Sequence, residues 1–272
     1  MCKNNALLSH ISHIIEQAGR EIILPAFNRS ITSQLKTDGS IVTETDTLSQ
    51  SWMKHQLHQL DASIAFLGEE MSEQEQRQKM SSSGRFWCLD PLDGTTNFSA
   101  GIPVFGTSLA LIEDGKPLLA CIHDPVRQET FTAIKHAGAS LNGVAIHITH
   151  ERELACAVGF IDFKRLEQAQ KELFLQKNLY RSQRNIGTCA LEWAWLAAGR
   201  GHFIVHGGEK IWDYAAGSLI AEEAGCQVSN FSNGALFDRL KMTQSILAAS
   251  PAIHQPLLDI IRNTQANFDH AV

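Results

Sequence analysis

Residues 88–98 read CLDPLDGTTNF, which puts Asp90 and Asp93 three positions apart with Pro91 between them. Neighbouring carboxylates repel each other unless a proton or a cation sits between them. A plain surface turn accounts for Asp93-Gly94 but gives no reason for Asp90-Pro91. Pro91 restricts the backbone in a way that lets the Leu92 carbonyl point inward as one more oxygen donor. Gly94 permits close backbone approach, and Thr95-Thr96 read as a helix start whose free N–H groups receive an anion. The string therefore predicts a divalent cation on one side and a phosphate on the other.

Further acids stand where strand-like segments end. Glu69 and Glu70 follow SIAFLG, Asp46 follows SIVTET, and Asp213 follows HFIVHGGEKIW. Strand ends beside helix starts are where ligands collect in α/β folds. Oxygen donors without accompanying histidine or cysteine select Mg²⁺ or Mn²⁺ over zinc. Metal on carboxylates next to an anion cradle suits phosphoryl transfer to water. Taken singly, each acid is as well explained by surface solvation or helix capping; the Asp90–Asp93 string is not. In such chemistry the Thr95 hydroxyl needs a proton acceptor, and Asp46 is a sensible one. Asp213 falls in the first turn of an Ala/Gly-rich helix, where the dipole favours a carboxylate.

The elements that must position these groups follow from periodicity and turn signals. Residues 6–24 carry a helical pattern ended by Pro25. Asp38-Gly39 marks a β-hairpin, 47–60 a helix, SIAFLG and RFWCLD strands, and 72–84 a polar surface loop. From 104 to about 148, short apolar runs separated by turns predict an antiparallel meander. A strand near 155–161, helices near 163–176 and 188–199, the strand HFIVHG and a helix at 213–224 follow. The expected fold is one α/β unit in two lobes. The first, 1–149, carries most of the acids, and the second, 150–272, carries Asp213.

The chain of 272 residues is 44% hydrophobic and 19% charged, a globular composition. A net charge of −6 without a Lys/Arg run argues against a nucleic-acid binder. Six scattered cysteines without a CxxC pair read as free, mostly buried thiols of a reducing compartment. No apolar run approaches about 20 residues and no signal-type segment begins the chain, so no membrane span and a cytoplasmic location are expected. His10/His13 and His55/His58 have helical spacing but lack a third ligand, so exposed helix faces are expected there. GxxxxGK[ST], GxGxxG and GxSxG strings are absent.

The strings VTETD (42–46), GEE (68–70), DPLDGTTNF (90–98) and WDYAAGSLIAEEAG (212–225) resemble, in order, the motifs of the inositol monophosphatase family of Mg²⁺-dependent, lithium-sensitive phosphatases. HDPVRQETFTAIKHAGASLNG is similar to the family's strand-rich middle. The resemblance implies a layered α-β-α-β-α sandwich of the inositol monophosphatase/fructose-1,6-bisphosphatase type, and a homodimer. It implies that Glu69, Asp90 and the Leu92 carbonyl hold one Mg²⁺ and that Asp90, Asp93 and Asp213 hold a second. A third, weaker ion leans on Glu69, which is thereby catalytic as well as ligating. Asp46 and Thr95 would orient and deprotonate the attacking water, while the Gly94 and Thr95 amides hold phosphate oxygens. Glu70 stays a supporting residue.

The same resemblance places Gly187, Thr188 and Cys189 of NIGTCALEWAWLAAG, together with Asp213, against the substrate. For Gly187 the ordinary alternative is a glycine before a buried helix. One departure concerns specificity: seven residues before Asp213 the family carries a glutamate that accepts from inositol hydroxyls, and this chain has His206. Imidazole offers one acceptor at most, which suits a substrate with fewer hydroxyls or a further anionic group; a swing of Glu209 into the site would compensate. A second departure, Cys226 after EAG, is expected to affect packing alone.

The expected function is hydrolysis of a small phosphate monoester, inositol 1-phosphate or a related sugar phosphate, by metal-activated water without a covalent enzyme intermediate. Alternatives with the same chemistry are 3′-phosphoadenosine phosphate, fructose 1,6-bisphosphate and histidinol phosphate. An alternative of another kind is a regulatory protein that contacts the transcription machinery, as some bacterial members of the family do.

Overall fold

The computed structural model describes residues 2–29, 33–35, 41–81, 84–148 and 153–269, with side chains for these except 2, 33–35, 41 and 264–269. Helix α1 (Cys2–Ala18) buries Ile11, Ile14, Ile15 and Ala18, one apolar stripe at helical spacing. The expected stop at Pro25 does not occur. A π-turn over Gly19–Ile23 leads straight into α2 (Leu24–Phe27), and the Leu24 N–H reaches back to the Gly19 carbonyl. The wider π-turn lets the chain carry Pro25 without ending the helix.

Strands β1 (Ser33–Leu35) and β2 (Ile41–Thr43) pair antiparallel; the Asp38-Gly39 turn predicted between them lies outside the described residues. Helix α3 (Glu44–Leu60) and strand β3 (Ala65–Gly68) follow. The segment expected to be a polar loop contains α4 (Glu73–Met80). A capping box starts it: the Ser72 N–H donates to the Glu75 carboxylate at 3.0 Å, and the Glu75 N–H donates back to the Ser72 hydroxyl at 3.4 Å. Its buried Gln76 amide donates to the Gly68 and Glu69 carbonyls at 3.3 and 2.9 Å. A helix with almost no apolar face is thus pinned where β3 delivers its glutamates.

β4 (Phe86–Asp93) runs parallel to β3 and ends in α5 (Thr95–Ser99). The predicted meander is present as β5 (Gly106–Glu113), β6 (Lys116–Asp124), β7 (Glu129–Ile134), β8 (Gly138–Leu141) and β9 (Val144–Ile146). These complete a seven-stranded sheet in the order β3 to β9, antiparallel apart from the first pair. Next come β10 (Val158–Asp162), α6 (Gln168–Phe174), which is shorter than expected, β11 (Ser182–Arg184) and α7 (Cys189–Ala197). β12 (Phe203–Lys210) and α8 (Ile211–Glu223) match expectation. β13 (Gln227–Ser229), β14 (Thr243–Ala249) and α9 (Pro251–Asp269) come from a tail for which no element was expected. The second sheet has five strands in the order β11-β10-β12-β14-β13 and is mixed.

Three apolar clusters show the layering. Ile11, Ile15, Met53 and Leu57 of α1 and α3 pack on Leu89, Leu109 and Leu119 of the large sheet. Trp193 of α7 and Leu219 of α8 lie between the sheets, with Ala110 and Ile122 on one side and Ile204 and Ile246 on the other. Phe174, Leu257 and Ile261 of α6 and α9 cover the far face through Phe203, Val205 and Leu247. The chain is an α-β-α-β-α sandwich. Along β12, Phe203 and Val205 face the outer layer and Ile204 the middle one, the two-residue alternation of a strand buried on both faces. Among the described residues no helix is long and apolar enough to cross a membrane.

Contact between α7 and α8 depends on Gly217. A Cβ there would lie 2.3 Å from Trp193 Cγ, and that indole is held by its N–H bond to Glu209 Oε2 at 2.8 Å. Gly217→Ala is therefore expected to destabilise the fold by about 1–3 kcal/mol through overpacking. The measurement is the urea midpoint at constant m-value; an unchanged midpoint would mean that this contact is looser than described.

Candidate active site

Strand β4 carries the site out of the sheet. Its pairing with β5 slips between Asp90 and Asp93, so both aspartates turn toward the same end instead of alternating across the sheet. Asp90 Oδ1 accepts the Leu92 N–H at 3.0 Å, and the Pro91 carbonyl accepts the Thr107 hydroxyl at 3.0 Å. Asp213 arrives from the first turn of α8, with its Oδ2 on the Lys210 N–H at 3.1 Å. A carboxylate oxygen from each of Asp90, Asp93 and Asp213 then lies within 4.8 Å of the others. Glu69 falls outside this triad but beside it, close enough for its charge to act on both Asp90 and Asp213.

Three carboxylates this close, Asp90 and Asp213 buried and Asp93 half-buried, cannot all ionise freely. Burial first, then Glu69, Asp93 and Asp213, pushes the Asp90 carboxyl well above its usual range. Burial first, then Asp93, Glu69 and Glu209, does the same to Asp213. Asp93 is pushed up to about 6, because burial outweighs the hydrogen bonds from Thr188, Ala190 and Gly94 that favour its charge. The donor set is all oxygen, largely buried and destabilised as anions, which is what a hard divalent cation relieves. Mg²⁺ fits this set.

A pH dependence follows from the same shifts. Where the folded carboxyls bind protons more tightly than the unfolded ones, metal-free stability falls as pH rises. For Asp93 the window runs from 3.8 to about 6, and it extends upward for Asp90 and Asp213. His254, pulled down to about 4 by burial, works in the opposite direction. The informative quantity is therefore a difference: the rise in Tm produced by saturating Mg²⁺ should grow between pH 5 and pH 8. A rise that is the same at both ends would remove the cluster from cation binding.

Next to the carboxylates, Asp46 and Thr95 are joined by a hydrogen bond. Asp46, buried in the first turn of α3, accepts the Thr43 N–H and hydroxyl on Oδ2 at 2.7 and 2.5 Å. Its Oδ1 faces the Thr95 hydroxyl at 2.9 Å, and that hydroxyl also lies 3.0 Å from the Leu92 carbonyl. Gly94 adopts φ 91°, and a Cβ there would meet the Val104 carbonyl at 3.1 Å, so only glycine makes this corner without strain. Glu70 is anchored through its N–H to Gln50 Oε1 at 2.9 Å.

The residues predicted on the substrate side split into two roles. The Thr188 hydroxyl caps α7, donates to Asp93 Oδ2 and accepts the Leu191 N–H; the Ala190 N–H donates to the same Asp93 oxygen at 2.6 Å. Thr188 thus positions a carboxylate. Gly187, at φ 77°, faces Asn97, whose side-chain N–H groups donate to the Val104 and Ile186 carbonyls at 2.8 and 2.7 Å. Cys189 Sγ lies 3.7 Å from His206 Nε2. Glu209 needs no swing: the pairing of β12 with β14 slips between His206 and Glu209, and one Glu209 oxygen already lies within 4.8 Å of Cys189 and His206.

Several neighbours of the site were not found in the sequence. Asp162 Oδ2 takes the His206 Nε2 contact at 3.1 Å, with Arg165 Nη1 at 3.3 Å from the same nitrogen. Glu192, buried in α7, accepts the Ile186 N–H at 2.9 Å and fixes the loop before Gly187. An acid in the apolar string ALEWAWLAA was the one available signal. His10, His13, His55 and His58 are exposed, Trp212 and Cys226 are core residues, and of the described thiols Cys88, Cys121 and Cys226 are buried while Cys156 is exposed.

The sequence profile of the inositol monophosphatase family matches residues 7–266. The Nus factor SuhB of Pasteurella multocida is 31% identical over 268 residues, covering 95% of this chain and 96% of its own. Phosphatase IMPL1, chloroplastic, of Arabidopsis thaliana is 30% identical, covering 96% of this chain and 72% of its own. Among solved structures, the IMPase of Thermotoga maritima superposes with a TM-score of 0.82 at 26% identity, covering 98% and 99% of the two chains. The suhB protein of Bartonella henselae gives 0.81 at 27%, covering 94% and 98%. With the metal-fitting triad and the Asp46–Thr95 pair on one edge of this sandwich, the chain belongs to the inositol monophosphatase family.

Proposed function

We propose that the chain is a Mg²⁺-dependent phosphatase that hydrolyses a small phosphate monoester of the inositol 1-phosphate or sugar-phosphate class. The observation that carries this reading is the convergence of Asp90, Asp93 and Asp213 beside the Asp46–Thr95 pair. Glu69, Asp90, the Leu92 carbonyl, Asp93 and Asp213 would hold the ions; bound there, Mg²⁺ neutralises phosphate oxygens, acidifies a water and stabilises the leaving oxygen. Asp46 Oδ1 accepts the proton of the Thr95 hydroxyl, and Thr95 Oγ1 in turn takes one from the attacking water. The corner at Gly94 brings the backbone amides of Gly94 and Thr95 toward the phosphate. Thr188 and the Ala190 N–H keep Asp93 aimed at the ions. Gly187, Cys189 and His206 line the side where the alcohol portion is read.

His206 is tied to Asp162 and flanked by Arg165. An imidazole held by these contacts where the family has a glutamate supports a second reading within the same chemistry, with 3′-phosphoadenosine phosphate, fructose 1,6-bisphosphate or histidinol phosphate as the ester. The deciding experiment is phosphate release over a panel of inositol, sugar, nucleotide and histidinol phosphates, with and without Mg²⁺. Release that is independent of Mg²⁺, or absent on every ester, would reject the reading.

The name Nus factor carried by the SuhB relatives supports a second role, contact with the transcription machinery, which would place the chain in the cytoplasm. If a cellular phenotype survives Asp93→Asn while phosphate release is lost, that role dominates; joint loss leaves catalysis as the main one. Lithium inhibition and a homodimer, both implied by the family, are checked by a millimolar LiCl titration and by sedimentation.

A further inference from the structure

A second ligand-type cluster adjoins the carboxylates and differs from them in chemistry. Cys189, His206 and Glu209 each offer one donor atom, all within 4.8 Å of one another. Cys189 opens α7, while His206 and Glu209 flank the slip in β12, so three chain positions converge from two elements. Glu209 is fully buried; its Oε2 accepts the Trp193 indole N–H, but its Oε1 has no hydrogen-bond partner among the described residues. An unpartnered buried carboxylate oxygen is costly unless something positive fills the space.

We propose that Cys189, His206 and Glu209 form a binding site for a borderline-soft divalent cation, Zn²⁺ being the best fit. Thiolate and imidazole together favour Zn²⁺ over Mg²⁺. Zn–S and Zn–N bonds of about 2.3 and 2.0 Å at a tetrahedral angle set sulfur and nitrogen about 3.5 Å apart. The 3.7 Å between Cys189 Sγ and His206 Nε2 matches that separation. Three protein ligands leave the fourth position open. On binding, the thiol proton passes to solvent and the sulfur ligates as thiolate.

The imidazole changes too. Its Nδ1 now faces the Gly208 N–H at 3.2 Å, so ligation through Nε2 moves the ring proton to Nδ1 and turns that N–H away. Gly208 sits in the β12 slip, where the ladder is already open. The Arg165 side chain, 50% exposed, turns to solvent, and Asp162 loses its contact with Nε2. Because Cys189 and His206 belong to the side assigned to the substrate alcohol, an ion here inhibits the enzyme. That consequence rests on the proposed phosphatase reading; the binding does not.

The test titrates the metal-free, reduced protein with Co²⁺ under saturating Mg²⁺, which keeps the carboxylate site filled. The expected result is a near-ultraviolet thiolate-to-cobalt charge-transfer band that saturates at one equivalent and is bleached by Zn²⁺. The band should vanish in Cys189→Ser, persist in Cys156→Ser and Asp90→Asn, and require about tenfold or more Co²⁺ in Glu209→Gln. His206→Ala serves in place of Glu209→Gln should that variant fail to fold. Absence of the band in the folded parent, its persistence in Cys189→Ser, or full affinity in the Glu209 or His206 variant would overturn the site. None of these readouts depends on phosphate release, so failure of the phosphatase reading is recognised separately.

Discussion

Asp90→Asn is expected to lower Mg²⁺-dependent turnover about a thousandfold or more, while the metal-free protein becomes at least as stable as the parent. The first half follows from placing Asp90 in both proposed ion sites. A divalent ion contributes several kcal/mol of charge stabilisation in a phosphoryl-transfer transition state, and each 1.36 kcal/mol is a factor of ten in rate. The second half follows from repulsion. Asp90 is 2% exposed, crowded by Glu69, Asp93 and Asp213, and its ionised form is disfavoured by burial. Asparagine has the same shape, keeps an oxygen for the Leu92 N–H at 3.0 Å and removes one charge. A site shaped for function at the expense of stability shows this opposite response. The checks are kcat with the preferred ester and Tm in EDTA. An active variant contradicts the metal assignment; an inactive variant of much lower Tm would mean that Asp90 is structural.

The second large effect is expected at the relay. Thr95→Ala and Asp46→Asn should each slow turnover by about 10²–10⁴, the usual contribution of a positioned proton acceptor. They should leave the Mg²⁺-induced rise in Tm unchanged, since neither residue belongs to the triad. The two act through one hydrogen bond, Thr95 Oγ1 to Asp46 Oδ1 at 2.9 Å, so the double variant should be scarcely slower than either single. Independent, multiplying losses would show that the bond seen here is not part of the reaction path. Asp46→Asn retains an acceptor for the Thr43 N–H, so α3 should keep its start.

What could be read in the sequence was what a short stretch of chain defines by itself. Asp90, Pro91, Asp93 and Gly94 lie within five positions, and their types allow few alternatives. The meander announced itself through alternating apolar runs and turn pairs. Helix α4 was missed because its faces are nearly all polar, although the Ser72…Glu75 capping pair was present to be seen. Pro25 misled because a π-turn can absorb a proline that an α-helical turn cannot. Asp162, Arg165 and Glu192 were out of reach for another reason. No local pattern marks them, and only the parallel pairing of β10 with β12 brings Asp162 opposite His206. The position of Glu209 likewise depends on a slip in β-pairing that leaves no signature in residue types.

The most direct measurement is the anomalous difference density of a crystal soaked in Mn²⁺. The account predicts peaks within coordination distance of the carboxylates of Glu69, Asp90, Asp93 and Asp213, next to the Thr95 hydroxyl. A well-ordered crystal with these four side chains resolved and no anomalous peak among them would contradict it.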